Sequence, residues 1–489
     1  MPNSRSRSRF TRGHLVSATT ALLLAACVAD LTPPVAPDQG PGFARAPAGP
    51  TVTRTFPKSG EKGRTLDVRV YGTGFASDAQ ATWALRGIAD PSKVRTNSTT
   101  FVSSTELIAN ITIAPDATID YWDVQVAARC CRTGIGTEMF EVTTAMPVGP
   151  GTAFGVNDAG DIAGAFGASG STPPHAYVVS GGNGSLSDLG WQQARAISED
   201  GLTAVGGIGT SFGQPIAAVW TRAVGGAWPL AGARLPDPVG MTFTNGRADG
   251  VVTLSGGSVT LIAGTLTTPR TPVYWESTDG TWASPARPLS LPPQYASSVN
   301  SNALAIAATT GDIGGHVQSE VRGPLVPVLW RRAGGYVPEV LPLPAGYTSG
   351  VVRGISPDGT IMVGNVSVSA KGRDVLAPAF WTRAADGVYT ARRLPTLTGA
   401  DATVNGVAVY GVTVVGDQVR AVGTSPSPTN GTYLHAASWT WTGDGSDVQV
   451  RDIGGVGTRT DVFPYAINAA GTIAVGADGT GSIKWILTP

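Results

Sequence analysis

The stretch YAINAAGTIAVG (residues 465–476) holds two short apolar segments separated by a turn that contains glycine, and it ends on a second glycine. Apolar runs this short, broken by Gly, predict two antiparallel β-strands rather than a helix. The next segment, SIKWILTP (residues 482–489), carries Trp485 and predicts a third strand. The local unit is therefore a β-meander with a large aromatic residue on its third strand.

The same pattern occurs seven times after residue 145, with an aromatic residue on each third strand. These aromatics are Tyr177, Trp220, Trp275, Trp330, Trp381, Trp439 and Trp485, in steps of 43 to 58 residues. A repeat of this length suits a four-stranded propeller blade, and a proline-rich fourth piece such as Val340–Pro344 suits an outer edge strand. We therefore expect residues 145–489 to form a seven-bladed β-propeller whose aromatics pack between adjacent blades.

The last copy lacks a fourth strand-like piece of its own. The segment Phe140–Val148, just ahead of the first copy, could close the ring as that strand. It could equally be the final strand of the preceding domain, and one segment is not expected to serve both.

The motif Ala-Ile-Asn-Xaa-Xaa-Gly-Xaa-Ile-Xaa-Val-Gly, preceded by DIGG at residues 452–455, resembles the HAF-type extracellular repeats of bacterial surface and secreted proteins. The match is strongest in the first, second, fifth and seventh copies and weak in the third and fourth. The resemblance implies an extracytoplasmic location and propeller-like packing, and it supplies no established catalytic residues.

Residues 51–144 alternate apolar and polar side chains in about seven short runs separated by turn residues, which is typical of a β-sandwich. The segments FPKSG (56–60), YGTGF (71–75) and DVQV (123–126), together with Trp83, resemble the IPT/TIG immunoglobulin-like family. The fold class expected is all-β: a TIG-like sandwich followed by the propeller.

The N-terminus carries arginines and then a short apolar run, Leu15–Ala26, which is too short to span a bilayer as a mature helix. The segment LAAC (residues 24–27) resembles the bacterial lipobox, which implies a signal peptide at 1–26 and acylation of Cys27. An ordinary signal peptide with a chance cysteine is the alternative. Residues 27–50 are rich in proline and predict a tether. Val28, where an inner-membrane retention signal would have Asp, makes the outer membrane or cell surface the expected location.

Charge and cysteine content limit the partners. The chain has 34 Lys plus Arg and 34 Asp plus Glu, so no net field attracts nucleic acid. After Cys27 no apolar stretch approaches the length of a membrane helix, so the lipid anchor is the expected membrane contact. The adjacent Cys130 and Cys131 allow either two free thiols or a vicinal disulfide, and no metal or cofactor site is expected.

No pattern in the sequence predicts catalysis. His175, His316 and His435 fall in no metal motif and are interpreted as solvated loop residues. Acidic residues recur in the copies, but most stand beside the glycine of a tight turn, which favours a turn role over paired catalytic carboxylates. These residues are Asp158, Asp161, Asp200, Asp358 and Asp478.

Four tryptophans lie outside the repeat position and are the candidates for ligand-facing aromatics: Trp191, Trp228, Trp282 and Trp441. The alternative for half of them is that they cover blade edges. The function expected is non-catalytic binding or surface interaction with a protein or glycan ligand. Two alternatives stay open: a carbohydrate-active hydrolase or lyase with carboxylates at the propeller mouth, and a structural envelope protein without a discrete ligand.

Overall fold

A computed structural model of the chain describes residues 49–128, 133–167, 173–182, 184–209, 214–254, 256–268, 270–370, 373–384, 386–399, 406–427, 433–455, 461–479 and 481–487. These residues form β-strands and three short 3-10 helices, at Ser180–Gly182, Pro293–Tyr295 and Arg332–Gly334. None of them belongs to a helix with the length and apolar character that crossing a bilayer requires. The predicted all-β class is confirmed.

Residues 51–143 form two sheets. In sheet order, the first contains β1 (Thr51–Phe56), β3 (Thr65–Thr73), β7 (Glu106–Ile113) and β6 (Val94–Ser103). The second contains β2 (Ser59–Glu61), β9 (Gly134–Thr143), β8 (Asp120–Ala127), β4 (Gln80–Leu85) and β5 (Ile88–Ala89). All pairs are antiparallel except β2 with β9.

One core lies between these two sheets. Every second residue of β7, from Leu107 to Ile113, is buried, as the two-residue period of a strand requires. Across from it, the second sheet contributes Trp83 and Phe140, whose rings meet edge to face with centroids 6.0 Å apart. The alternation in sequence therefore produces two layers over a shared apolar interior.

The strands of residues 145–487 group into seven four-stranded antiparallel units, numbered here in chain order. Unit 1 contains β11 (Thr152–Val156), β12 (Ile162–Phe166), β13 (His175–Val179) and the first half of β14 (Leu186–Ile197); unit 2 contains the second half of β14, β15 (Thr203–Ile208), β16 (Ile216–Thr221) and β17 (Ala233–Arg234). Unit 3 contains β18 (Asn245–Thr253), β19 (Thr260–Thr267), β20 (Thr271–Ser277) and β21 (Arg287–Pro288); unit 4 contains β22 (Asn302–Ile306), β23 (Ile313–Val317), β24 (Val326–Arg331) and β25 (Val337–Val340). Unit 5 contains β26 (Ser349–Ile355), β27 (Ile361–Ala370), β28 (Arg373–Arg383) and β29 (Tyr389–Arg393); unit 6 contains β30 (Ala408–Val415), β31 (Gln418–Pro426), β32 (Leu434–Thr442) and β33 (Gln449–Asp452). Unit 7 contains β34 (Phe463–Ile467), β35 (Ile473–Asp478), β36 (Gly481–Ile486) and β10 (Ala145–Gly149).

The segment that the sequence left ambiguous serves both domains. Strand β9 ends at Thr143 in the two-sheet domain, and β10 begins at Ala145 and pairs with β36, so that Ala145 lies opposite Trp485. The first strand of each unit contacts the first strand of the next, and β11 of unit 1 contacts β34 of unit 7. The succession of units therefore closes on itself.

The Asn-Xaa-Xaa-Gly part of the repeat motif forms the turn between the first and second strands. In unit 7 the Oδ1 of Asn468 accepts hydrogen bonds from the backbone N–H groups of Thr472 and Ile473, at 2.9 and 2.8 Å. Gly471 adopts φ +67°, a conformation that favours glycine. In units 2 and 5 a serine, Ser198 or Ser356, accepts the equivalent bond through its hydroxyl. The motif is therefore explained by turn chemistry.

The tryptophans at the repeat position join neighbouring units. Each is at most 1% exposed, and its indole N–H donates to a backbone carbonyl at the end of the preceding unit. The pairs are Trp220 with Leu189 (3.0 Å), Trp275 with Pro236 (2.8 Å), Trp330 with Ser290 (2.6 Å), Trp381 with Pro342 (2.7 Å), Trp439 with Pro395 (2.7 Å) and Trp485 with Gly454 (2.9 Å). Each indole thus fills the space between two sheets and also fixes their spacing.

Hydrogen bonds connect the two-sheet domain to the end of unit 6. The carboxylate of Glu141 on β9 accepts the N–H of Gly455 at 2.9 Å, and the hydroxyl of Thr144 donates to the carbonyl of Ile453 at 3.0 Å. Beside them, Nδ1 of His435 lies 2.6 Å from Oδ2 of Asp452. Burial lowers the pKa of His435, but the hydrogen bond and charge of Asp452, with the charge of Glu141, outweigh it and raise the pKa above its usual value.

We predict that Trp381→Phe lowers the free energy of unfolding by about 1–3 kcal/mol, because it removes the indole hydrogen bond to Pro342 and leaves space in a packed interface. Trp191→Phe is the matched control: Trp191 is 41% exposed, and its replacement should change stability by less than about 0.5 kcal/mol. Urea denaturation measures both. Equal midpoints for Trp381→Phe and the wild type would remove the structural role assigned to the indole.

The raised pKa of His435 predicts a pH-dependent contribution to stability. The protonated ring is favoured in the folded state, so the contribution is complete below the ordinary histidine pKa of about 6.5 and is lost as pH rises through the higher folded value. The difference in melting temperature between the wild type and His435→Gln should therefore be larger at pH 5.5 than at pH 8.5. In an Asp452→Asn background this pH dependence should shrink, and a gap independent of pH in both backgrounds would contradict it.

Candidate functional site

The first strand of each unit carries one irregularity in its pairing with the second strand, of the kind a β-bulge produces. The extra residue is flanked by residues that stay in register, such as Ala153 and Gly155 in unit 1. The seven extra residues are Phe154, Arg195, Asp249, Leu304, Arg353, Tyr410 and Tyr465, named here the central ring. These residues therefore all lie on the first strands, which contact one another around the closed succession of units.

Three members of the central ring form an aromatic arc. The ring of Tyr465 lies 5.4 Å from that of Phe154 and 5.3 Å from that of Tyr410, centroid to centroid. Phe463 stacks on Tyr465 with an interplanar angle of 7°. Burial raises the pKa of Tyr465 to about 12 and also raises that of Tyr410, so both phenols stay neutral at physiological pH. The arc therefore offers apolar faces with neutral hydroxyl groups.

An arginine stands at each end of the arc. The guanidinium carbon of Arg195 lies 4.7 Å from the centroid of Phe154, and that of Arg353 lies 5.3 Å from the centroid of Tyr410. Both distances suit a cation–π contact. The Nε of Arg353 also donates to Oδ1 of Asn365 at 2.8 Å, which fixes the guanidinium plane. Aromatic rings and arginines are the residues that contribute most to binding surfaces.

The single carboxylate of the central ring belongs to Asp249, whose side chain is 2% exposed. Its Oδ1 lies 3.0 Å from Nε of Arg195 and 2.8 Å from Nε of Arg247. A carboxylate held by two guanidinium groups is poorly placed to act as a nucleophile or as a proton donor. Asp249 is therefore better suited to orient the two arginines.

Two of the four predicted ligand-facing tryptophans are buried, and the prediction is wrong for them. Trp441 is 1% exposed and packs 4.9 Å from Phe380, centroid to centroid. Trp228 is 8% exposed and lies under the guanidinium of Arg222 at 4.7 Å. Both cover the apolar edges of their units, which a position outside the repeat register does not reveal.

The other two tryptophans are partly or well exposed. Trp191 is 41% exposed, and its ring lies 4.1 Å from that of His175. Trp282 is partly buried and lines a polar cavity of about 470 Å³ between units 2 and 3. Their ligand-facing role stays a prediction.

The histidines are not solvated loop residues. His316 lies on β23 and is 8% exposed, and its Nε2 lies 3.0 Å from Nδ2 of Asn302. His175 and His435 each place Nδ1 within 2.9 Å of an aspartate, Asp188 and Asp452 respectively. The interpretation is wrong because the three histidines lie on β-strands, and their apolar sequence neighbours gave no sign that these side chains would be partly or fully buried.

The recurring carboxylates take part in turns and local bonds. Asp200 and Asp358 each accept a bond from a nearby serine hydroxyl and from a backbone N–H two residues on. Asp158 and Asp161 accept the N–H groups of Ala470 and Gly181, and Asp478 accepts that of Gly481. In the described parts of the chain no group of three or more His, Cys, Asp or Glu residues could hold a metal ion. Cys27, Cys130 and Cys131 lie outside the described residues.

Sequence reasoning missed the central ring, although the chain carried a signal for it. In four copies the bulged residue stands between two Ala or Gly residues, as in Ala153-Phe154-Gly155 and Ala194-Arg195-Ala196. Aligning the copies on the glycine that ends each second strand would have marked this column as the one that differs in kind from copy to copy.

No family model matches the chain, and no curated protein matches it. Solved structures that it resembles include the β-propeller domain of the trilobed protease from Pyrococcus furiosus, at 11% identity and a TM-score of 0.37, with 68% of this chain and 95% of that one covered. An auxiliary nutrient-binding protein from Bacteroides ovatus aligns at 12% identity and a TM-score of 0.29, covering 91% and 99% of the two chains. An acylaminoacyl peptidase from Pyrococcus horikoshii aligns at 11% and 0.36, covering 66% and 49%. Likenesses this distant carry no argument about ligand or activity.

The ion pairs of Asp249 predict a stability effect. Asp249→Asn should lower the free energy of unfolding by about 1–3 kcal/mol, because two guanidinium groups lose a nearly buried counter-charge. The matched control is Asp444→Asn, since Asp444 also pairs with an arginine but its side chain is 62% exposed; its loss should cost less than about 0.5 kcal/mol. Chemical denaturation compares them. Equal effects of the two substitutions would contradict the structural role of Asp249.

Proposed function

We propose that the protein is a lipid-anchored, extracytoplasmic binding protein that uses the central ring to hold a glycan. Residues 1–26 form its signal peptide, Cys27 is its acylated N-terminus, and residues 27–50 are the tether. Residues 51–144 form a TIG-like sandwich, and residues 145–489 form a seven-bladed propeller of HAF-like repeats. The two sheets over one core and the closed succession of seven four-stranded units support this division.

The observation that carries the proposal is the contrast between two columns of the repeat. The third-strand position holds an aromatic residue in all seven units, because the same gap must be filled each time. The bulge position holds aromatic, cationic, anionic and aliphatic residues in turn, although its backbone geometry recurs. A position that repeats in geometry and varies in chemistry is arranged for an asymmetric ligand.

The chemistry of the central ring suits a sugar. The apolar face of a pyranose packs on aromatic rings, and its hydroxyl groups accept hydrogen bonds from guanidinium groups and donate to phenol oxygens such as that of Tyr410, whose own hydrogen is donated to the carbonyl of Gly406. The arc from Phe154 to Tyr410, flanked by Arg195 and Arg353, provides both kinds of contact. All seven residues of the central ring are partly exposed, although the side chain of Asp249 is only 2% exposed. A sugar unit that protrudes into the site therefore fits better than a flat protein surface.

The hydrolase alternative gains no support from the central ring. Glycosidases generally need two carboxylates about 5–10 Å apart, one of them free to move a proton. Among the seven ring residues only Asp249 is acidic, and it is paired with two arginines. We therefore favour binding without turnover.

A glycan array with the full-length protein in detergent tests the proposal, followed by titration calorimetry on the best ligand. Tyr465→Leu and Arg353→Gln should each weaken binding at least about tenfold, or 1.4 kcal/mol, because one removes the centre of the arc and the other a terminal donor. Arg287→Gln is the matched control, since Arg287 lies on the outer strand β21 with a side chain 62% exposed, and it should bind like the wild type.

Three outcomes would contradict the proposal. Loss of binding in Trp191→Ala or Trp282→Ala with the ring variants unaffected would move the site to those tryptophans. A uniformly negative array would favour a structural envelope protein. Release of shortened glycan during incubation would establish a hydrolase or lyase.

A further inference from the structure

A cavity of about 170 Å³ lies where units 2, 3 and 4 meet, next to the central ring. Its polar lining comes from Asn245, Arg247, Thr265, Thr267, Arg270 and Asn302, and no acidic residue lines it. Arg247 connects it to the central ring, because its Nε pairs with Asp249 at 2.8 Å. We name it the Arg270 pocket.

The pocket has an excess of positive charge. Asp249, outside the lining, is the carboxylate of Arg247 and is shared with Arg195. Among the described residues, Arg270 donates hydrogen bonds to two amide oxygens, Oδ1 of Asn300 at 3.1 Å and Oδ1 of Asn302 at 3.3 Å. In the described part of the chain no carboxylate lies within 4.0 Å of Arg270. Arg270 is an exposed residue, and its guanidinium borders the open cavity with no carboxylate beside it among the described residues.

A chain of amides holds Arg270 in place. Asn302, which is 5% exposed, donates to Oδ1 of Asn300 at 2.8 Å, and Asn300 donates to Oε1 of Gln318 at 3.0 Å. A guanidinium oriented by fixed acceptors loses little conformational entropy when it binds a ligand. This favours a site that exists before the ligand arrives.

His316 adds an unsatisfied donor beside the same amides. Burial, with the charges of Arg353 and Arg270, lowers the pKa of His316 to about 4, so its ring is neutral at pH 7. Its Nε2 accepts the hydrogen bond from Asn302, so the ring hydrogen is on Nδ1. The buried Nδ1 has no partner among the described residues. A buried donor without an acceptor is uncommon in a folded protein, and this one lies next to Asn302, which lines the pocket.

We propose that the Arg270 pocket binds an anionic group, a carboxylate or a sulfate or phosphate ester, carried by the glycan. That the anion is carried by a glycan rests on the proposed function. That the pocket binds an anion rests only on the residues of the pocket. The volume of about 170 Å³ resembles that of a cavity of about 150 Å³ that holds benzene, so a carboxylate, sulfate or phosphate group fits inside it and the sugar ring lies outside. The ligand class is therefore an acidic glycan, with the sugar on the aromatic arc and the acid near Arg270.

The first experiment tests the anion site alone with the full-length protein in detergent. Melting temperatures are measured with sodium sulfate and sodium chloride at equal ionic strength for the wild type, Arg270→Gln, Arg270→Lys and the control Arg287→Gln. Sulfate stabilises proteins in general, so the diagnostic quantity is the sulfate gain of the wild type minus that of Arg270→Gln. We expect a gain at least 2 °C larger in the wild type and in Arg287→Gln than in Arg270→Gln, with Arg270→Lys in between.

The second experiment compares polygalacturonate with its methyl ester, which has the same backbone without the charge, by calorimetry. The wild type and Arg287→Gln should bind the acid at least tenfold more tightly than the ester, and Arg270→Gln should bind both equally. Binding of both polymers with equal affinity by the wild type, together with equal sulfate gains in all four proteins, would overturn the anion site and leave the proposed function standing. Binding of neither polymer with the sulfate difference intact would support the anion site and count against the glycan ligand.

Discussion

The indole rings at the repeat position hold the closed part of the structure together. Each ring fills the gap between two sheets and donates its N–H to a carbonyl at the end of the preceding unit, so packing and hydrogen bonding fix the same spacing. Six such contacts join units 1 to 7 in succession. The seventh interface, between units 7 and 1, has Tyr177 at the equivalent position, fully buried and with its pKa raised to about 12 by burial. Main-chain pairing of β10 with β36 completes unit 7 beside it.

The indole contacts between units do not involve the side chains of the central ring, so those side chains can differ from unit to unit. The bulge position of each first strand has a repeated backbone geometry, and its side chain can change without loss of the indole contacts. The chain places three aromatic residues together, arginines at both ends of the arc, and Asp249 where it orients two guanidinium groups. The seven units therefore differ in side-chain chemistry at one structurally equivalent position. Such differences can produce a binding site for an asymmetric ligand without a change in the backbone.

Sequence periodicity predicted the strands, the turns and the buried column of tryptophans, because these depend on local alternation and on turn residues such as Gly471. It did not predict which aromatics outside that column are exposed. Trp441 packs on Phe380 from the preceding unit, and His316 is buried beside Arg353 of the next unit, and such neighbours are about fifty residues away in sequence. The central ring was missed for the same reason: contacts such as Phe154 with Tyr465 join the two ends of the repeat array.

The passage from β9 to β10 links the two parts of the chain energetically. Only Thr144 separates the last strand of the two-sheet domain from the strand that completes unit 7, and its hydroxyl bonds to Ile453. Glu141 binds Gly455 within the same short region, and Gly454 there accepts the indole of Trp485. A change that loosens β9 would therefore act on the pairing of β10 with β36 and on the hydrogen bonds that join units 6 and 7. The two-sheet domain thus supports the interface between units 6 and 7.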